Sequence, residues 1–280
     1  MIIQVIGLGL IGGSMALDLK KRGFAEKIIG SDIDELHKEA ALRLGIVDEA
    51  EDTFSAIEKA DLVILAVPVD TTLNLLPKVL DAVTHQIVID VCSTKGNLGE
   101  RIKYHHNRKN YVGTHPMAGT EFSGPWAAMS GLFDGRAVIL SDVEDASQEA
   151  VEKVKELYEC LNMRPLFMNS YNHDVHAAYV SHISHLSSMA LALTVLEKEK
   201  NEKNILDLAS GGFDSTVRLA KSPASMWTPI FAQNSENVIS VLDTYIEKLE
   251  AFKHAIKEKD KPKISSLIND SNKIKRVLKR

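Results

Sequence analysis

The sequence predicts an α/β protein in two parts: a doubly wound parallel sheet over residues 1–170, then an all-helical domain over residues 171–280. Three observations predict it. Short apolar runs alternate with amphipathic stretches through the first 170 residues, a glycine-rich turn follows the first run, and beyond Tyr171 the strand pattern gives way to long helical periodicity. Residues that are apolar at consecutive positions suit strands covered on both faces, as in a parallel sheet between two helical layers.

In chain order the strand candidates are IIQVI (2–6), KIIGS (27–31), DLVILAV (61–67), QIVIDV (86–91), NYVGT (110–114), RAVIL (136–140) and RPLFM (164–168). Helix candidates fall between them at Gly13–Arg22, Glu35–Leu44, Thr53–Lys59, Thr71–Ala82 and Ser147–Leu161. This alternation is the signature of βαβ units. The second part reads as helices at His173–Lys200, Ile205–Ala209, Pro223–Lys257 and Lys261–Lys279. Apolar faces such as Val238, Val241, Leu242, Tyr245, Ile246 and Leu249 suit a bundle or dimerisation domain. The charged run Glu197–Lys203 reads as a solvated helix end or loop.

Of the 280 residues 45% are hydrophobic and 25% charged, with a net charge of −5 and no basic stripe, so nucleic acid is not an expected partner. Cys92 and Cys160 stand far apart, with neither disulfide nor metal spacing, which fits a reducing cytoplasm. The chain opens on a strand, and no secretory signal is expected. Val175–Leu196 has the length of a membrane span, but His176, His182, His185 and four serines interrupt it. It is expected to be a helix buried in protein.

The glycine turn GLGLIGGS (7–14) places Gly7, Gly9 and Gly12 between a strand and a helix, and Asp32 follows the second strand twenty residues after Gly12. Gly7 permits the tight turn, Gly9 lets backbone approach a pyrophosphate, and Gly12 allows close helix–strand packing, so a Rossmann-type sheet binding a dinucleotide is expected. The turn with Leu8, Leu10 and Ile11 then lies at a helix N-terminus, whose amides and partial positive charge suit phosphates. Asp32 would accept hydrogen bonds from the adenosine ribose and repel a ribose phosphate, which favours NAD. Val67 and Pro68, closing the third run, should lie beside the cofactor at the carboxyl edge of the sheet.

Three further clusters carry candidate chemistry. DVCSTKG (90–96) brings Ser93, Thr94 and Lys95 to the sheet edge, with helix capping as the alternative role for the hydroxyls. GTHPMAGTEFSG (113–124) places His115 in a loop of small and polar residues, where a histidine suits proton transfer near neutral pH. VSHISH (180–185) puts His182 and His185 on one helix face, with no third ligand that would suggest a metal. Arg218, within GGFDSTVRLAKS (211–222), suits a bidentate clamp on a carboxylate, or an ion pair with a helix carboxylate.

Taken together, GLGLIGGS, SDID, LAVP, DVCSTKG, THPMAGTEFSG, VSHISH, SGGFDSTVRLAKS and SPASMW resemble, in this order, the prephenate/arogenate dehydrogenase family of tyrosine biosynthesis. The resemblance runs over most of the chain. It implies a Rossmann-type domain joined to a helical dimerisation domain, NAD as cofactor, a homodimer, and oxidative decarboxylation of a cyclohexadienyl ring. Carried over by motif, His115 takes the ring hydroxyl's proton as hydride departs, and Ser93 holds that hydroxyl and the nicotinamide end. Arg218 binds the ring carboxylate. Ser181, His182 and His185 line the pocket with Thr120 and Glu121. Trp227 matches a tryptophan that family dimers can supply from the neighbouring subunit. Phe122 stands where relatives often carry a basic residue, which leaves Glu121 without an obvious ionic partner.

The expected reaction is conversion of prephenate to 4-hydroxyphenylpyruvate. Arogenate as substrate, a β-hydroxyacid or imine reductase, and a non-catalytic NAD-sensing dimer remain the alternatives. No nucleic acid, membrane or metal is expected.

Overall fold

In the computed structural model, which describes residues 1–200 and 205–278, eight strands form one sheet in the order β3-β2-β1-β4-β5-β6-β7-β8. The strands are β1 (Ile2–Ile6), β2 (Lys27–Ser31), β3 (Glu49–Ala50), β4 (Leu62–Leu65), β5 (Ile87–Asp90), β6 (Tyr111–Pro116), β7 (Ala137–Ser141) and β8 (Arg164–Met168). All seven expected runs are strands. The two-residue β3 at the edge was not foreseen, being too short to show a period. One pairing departs from the expected parallel sheet: β7 runs antiparallel to β6, with His115 opposite Ile139, and parallel to β8. Apolar runs look alike in either direction, so the reversal left no trace in the sequence.

Side chains alternate across the sheet. Along β4, Leu62 and Ile64 join a core with Met15, Leu19 and Tyr158, while Val63 and Leu65 join Leu76, Val79 and Leu98 on the other face. The first core lies under α1 (Leu10–Lys21), α2 (Glu35–Arg43) and a later helix, Gln148–Cys160, and the second under α3 (Thr53–Ile57), α4 (Val69–Ala82) and α5 (Gly96–Ile102). The Gln148–Cys160 helix is α6. Nearly every residue of β1, β2 and β4–β7 is therefore covered, which is why those runs are mostly apolar, while the edge strands β3 and β8 keep exposed positions such as Phe167.

Because β1 lies between β2 and β4, the chain leaves β1 toward one side of the sheet and returns on the other. The carboxyl ends of β1 and β4 are thus the crevice at which ligands bind in such sheets.

Four more helices belong with the sheet: α7 (Ser170–Ala177), α8 (Ile183–Glu199), α9 (Gly211–Val217) and α10 (Ala224–Gln233). Met1–Ser235 forms one compact unit; the second, Glu236–Arg280, contains nearly all of α11 (Ser235–Lys257) and α12 (Lys261–Ser271). The last residues of the charged run 197–203, and the end of the last helical reading, lie outside the described residues.

A single π-helical turn, Ala178–His182, joins α7 to α8, so Ser170–Glu199 is one continuous helical rod. By length and composition this rod could cross a membrane, and the expectation that it is buried in the chain is corrected. His173, Asp174 and His182 face inward, but Val180 and Leu193 are 66% and 67% exposed, and Ser188 is the one buried residue of α8. The rod's buried positions are His173, Asp174, Ala177, Ala178, His182 and Ser188, while Tyr179, Val180, Leu193 and Leu196 are exposed.

Candidate active site

The glycine turn is built as its spacing requires. Gly7 has φ +99°, a conformation that favours glycine, and a Cβ there would stand 2.5 Å from the Ala66 carbonyl oxygen. Gly12 packs equally hard: a Cβ would fall 2.1 Å from the Gly7 oxygen. Gly9, the N-cap residue of α1, is different, because nothing lies within 4 Å of the position its Cβ would take. Asp32 is drawn to this turn by accepting the Leu8 amide at 2.8 Å and the Asp34 amide at 2.9 Å.

A cavity of about 460 Å³ opens here. Gly9, Leu10 and Ile11 line one end, Val67 and Pro68 the side, and Ser93, His115 and Thr120 the far part. Sequence reasoning missed two residues at the glycine end, His37 and Trp126, which meet edge to face at 5.7 Å between ring centres. Trp126 arrives on the long β6–β7 connection, tied to α1 where Ser14 accepts the Met129 amide and Asp18 accepts Ser130 and Gly131.

His115 was expected in a loop. It is instead the next-to-last residue of β6, held by pairing with β7, and is 7% exposed. Its Nδ1 lies 2.8 Å from Nε2 of His173, whose own Nδ1 lies 2.8 Å from Asp174. Burial first, then nearby His173, Lys95 and His182, hold the His115 pKa well below 6.5, so the ring is neutral at neutral pH. Burial also lowers His173, partly offset by Asp174. Neither His173 nor Asp174 stood out in the sequence, since they lie 58 and 59 residues from His115 and in no motif with it.

Asp174 also settles the capping question raised by Ser93 and Thr94. The amides of Lys95 and Gly96, at the start of α5, both donate to its carboxylate at 2.7 Å. The cap comes from α7, and Ser93 keeps its place in the cavity wall. Lys95 offers no charge to a ligand: it is 1% exposed and paired with Asp90, which also accepts from Tyr111. Burial pushes the neighbouring Cys92 thiol up to about 12, which makes it unreactive near neutral pH.

The expected residues of the helical half form a second group that does not line this cavity. Trp227, 6% exposed, stacks on His185 of its own chain at 3.5 Å and meets His182 edge to face at 5.9 Å. His182 accepts from Asn234, itself bonded to the Asp174 carbonyl, while its Nε2 is buried without a partner among the described residues; burial lowers its pKa to about 4. Ser181 contributes its carbonyl to His185 Nδ1. Arg218 reaches Glu121 at 3.3 Å, which supplies the ionic partner the sequence left open and links the two groups. From the SPASMW segment it is Pro223, Ser225 and Met226 that reach the cavity wall.

The family profile of the prephenate dehydrogenase nucleotide-binding domain matches residues 15–166, and that of the prephenate dehydrogenase dimerization domain matches residues 169–270. The chain belongs to the prephenate dehydrogenase family. Prephenate dehydrogenase of Bacillus subtilis (strain 168) is 33% identical over 92% of this chain and 71% of its own length. The crystal structure of prephenate dehydrogenase from A. aeolicus, in complex with hydroxyphenyl propionate and NAD+, superposes with a TM-score of 0.88 at 30% identity, covering 99% of this chain and 97% of that one. Synechocystis arogenate dehydrogenase superposes with a TM-score of 0.78 at 28% identity over 99% of both chains. In this prephenate dehydrogenase family member the first profile ends at residue 166 and the second begins at 169.

Proposed function

We propose that the chain catalyses the NAD-dependent oxidative decarboxylation of prephenate to 4-hydroxyphenylpyruvate. The observation that carries this reading is the neutral His115 in the wall of the cavity that also exposes the glycine turn. The named relatives support the substrate.

The residues fit the cofactor. The open space at Gly9 is the cradle a Cβ would fill, and the amides at the start of α1 suit a pyrophosphate. Gly7, Leu8, Gly9, Leu10, Ile11 and Gly12 would hold it there, with Asp32 on the ribose and Val67, Pro68 and Ser93 along its length. Bound NAD supplies the hydride acceptor. His115 takes the hydroxyl proton of the ring as the hydride leaves, and Ser93 hydrogen-bonds the same hydroxyl.

Arg218 is assigned to the ring carboxylate, with Thr120 and Glu121 beside it and Ser181, His182, His185 and Trp227 shaping the pocket wall behind. In the free chain Glu121 holds the Arg218 guanidinium in place. Both side chains are partly exposed, so this pair adds little stability and can open for a substrate. Arg218→Ala should raise KM for prephenate by about 10–100-fold, the scale of a lost charge-assisted hydrogen bond, with KM for NAD unchanged. Steady-state kinetics varying each substrate in turn would check it; a selective rise in KM for NAD would remove Arg218 from this role.

The chain is further assigned as a cytoplasmic homodimer through its helical part. Two exposed apolar surfaces support this: Tyr179, Val180, Leu193 and Leu196 on the π turn and α8, and Ile239, Ile246 and Leu249 on α11. The deciding assay follows NADH at 340 nm with prephenate or arogenate and with NAD or NADP. Turnover is expected with prephenate and NAD. Preference for arogenate would move the substrate assignment while keeping the chemistry, and preference for NADP would overturn the role of Asp32.

A further inference from the structure

The histidine assigned to take the substrate proton is backed by a second one, and that backing determines which of its nitrogens can act. We propose that His173 and Asp174 are positioning residues: they keep the proton of neutral His115 on Nδ1, leave its Nε2 lone pair as the base, and stabilise the charge that arrives there. This rests on the role given to His115 above.

Asp174 is 5% exposed, and its carboxylate is held before any side chain reaches it: Oδ1 accepts the Lys95 amide and Oδ2 the Gly96 amide, each at 2.7 Å. An ionised carboxylate only accepts. Nδ1 of His173 lies 2.8 Å from Oδ1, so that nitrogen carries the ring's proton. A neutral imidazole has one N–H, which leaves Nε2 of His173 a lone pair. That lone pair faces Nδ1 of His115 at 2.8 Å, so Nδ1 of His115 donates to it. Nε2 of His115 is then unprotonated in a ring that lines the cavity. Every polar atom from the α5 amides to the base has one role only.

The proton is lent rather than consumed. As hydride leaves the hydroxyl-bearing ring carbon, the O–H proton passes to Nε2 of His115 and the carbon–oxygen bond becomes a carbonyl. When carbon dioxide leaves, the electron pair of the broken C–C bond enters the ring, and the oxygen takes the proton back as a phenol. No net proton is released. During the loan His115 is an imidazolium in a buried site, with His173, Lys95 and His182 acting against it, so the compensating charge has to come from the Asp174 carboxylate behind His173. The groups facing the dyad are Asp174 on α7, Lys95 at the start of α5, Asp90 at the end of β5 and His182 on the π turn. Among the described residues, Asp174 is the carboxylate joined to His115 by hydrogen bonds, through His173.

The test compares His173→Leu and His173→Gln with the unaltered chain, by steady-state kinetics and by 15N spectra of the histidine rings. His173→Leu should lower kcat by about tenfold or more, with both KM values within about twofold, and should let the His115 proton distribute over both nitrogens. Glutamine can accept the Nδ1 proton through its Oε1, so His173→Gln should restore kcat to within about threefold and return the single tautomer. Unchanged kcat in His173→Leu, or equal losses in both variants, would overturn the proposal. If His173→Leu fails to fold, the unaltered chain still decides, because a His115 proton found on Nε2 contradicts it. If the unaltered chain does not turn over prephenate, the proposed function fails, while the spectra judge the positioning role separately.

Discussion

Replacing His115 by asparagine is expected to lower kcat by roughly 100-fold or more, the scale of losing a general base, while NAD binding stays intact. Asparagine fits the end of β6 and can still hydrogen-bond to His173, so what disappears is the capacity to accept a proton. Gly9–Ile11, assigned to the cofactor, line the other end of the cavity, and Asp32 is held at the glycine turn by the Leu8 amide, so both are untouched. Rapid-mixing kinetics with a separate NADH titration would check both halves, and unchanged turnover would remove His115 from its role. The acid side of the pH profile should carry the same signature. Neutral imidazole is the active form, present above the pKa and lost as pH falls through it. With that pKa held well below 6.5 by burial, kcat/KM should show no fall through pH 6.5 from this group.

The second large effect separates folding from binding within one turn. Gly7→Ala places a methyl group at positive φ and 2.5 Å from backbone at the end of β4, which cannot give way as a side chain would. The conformation costs about 1–2 kcal/mol and the overpacking about 1–3 kcal/mol more. At about 2–4 °C per kcal/mol, Tm should fall by about 4–20 °C, and NAD affinity should fall with it. Gly9→Ala should do the opposite: its methyl enters open space, so Tm stays near that of the unaltered chain while NAD binding weakens by about tenfold or more. Thermal melting and NADH titration of the pair would decide. A Gly9→Ala variant that binds NAD normally would mean that the cofactor does not approach this backbone.

The parts of the molecule legible in the sequence were those with a local cause. The strands announced themselves because burial on both faces demands apolar residues throughout. Gly7 and Gly12 were legible because a tight turn and a close approach each need glycine at a fixed offset, and Asp32 because it directly follows the second strand beside that turn. His115 was legible as chemistry but not as structure, since β6 continues through it only because β7 returns alongside. His173 and Asp174 were illegible for a different reason. Their work depends on α7 lying against the start of α5, a long-range packing that no local period encodes. Arg218 showed two possibilities, a carboxylate clamp and an ion pair with a helix carboxylate, and in the free chain it pairs instead with Glu121 on the β6–β7 connection.

The π turn between α7 and α8 sets the phase of the histidines. An unbroken α-helix advances about 100° per residue, so the nine positions from His173 to His182 would carry them to opposite sides. One extra residue in the turn takes back about one such step and leaves them within about 80° of each other, so that both can point inward. Both are in fact buried, at 2% and 0% exposure. The place of His182 is therefore set by a count of residues as much as by their kind. Deleting Tyr179 or Val180 would rotate His182 and α8 relative to α7, turning His182 away from Asn234 and Asp174 without removing any side chain of the catalytic group.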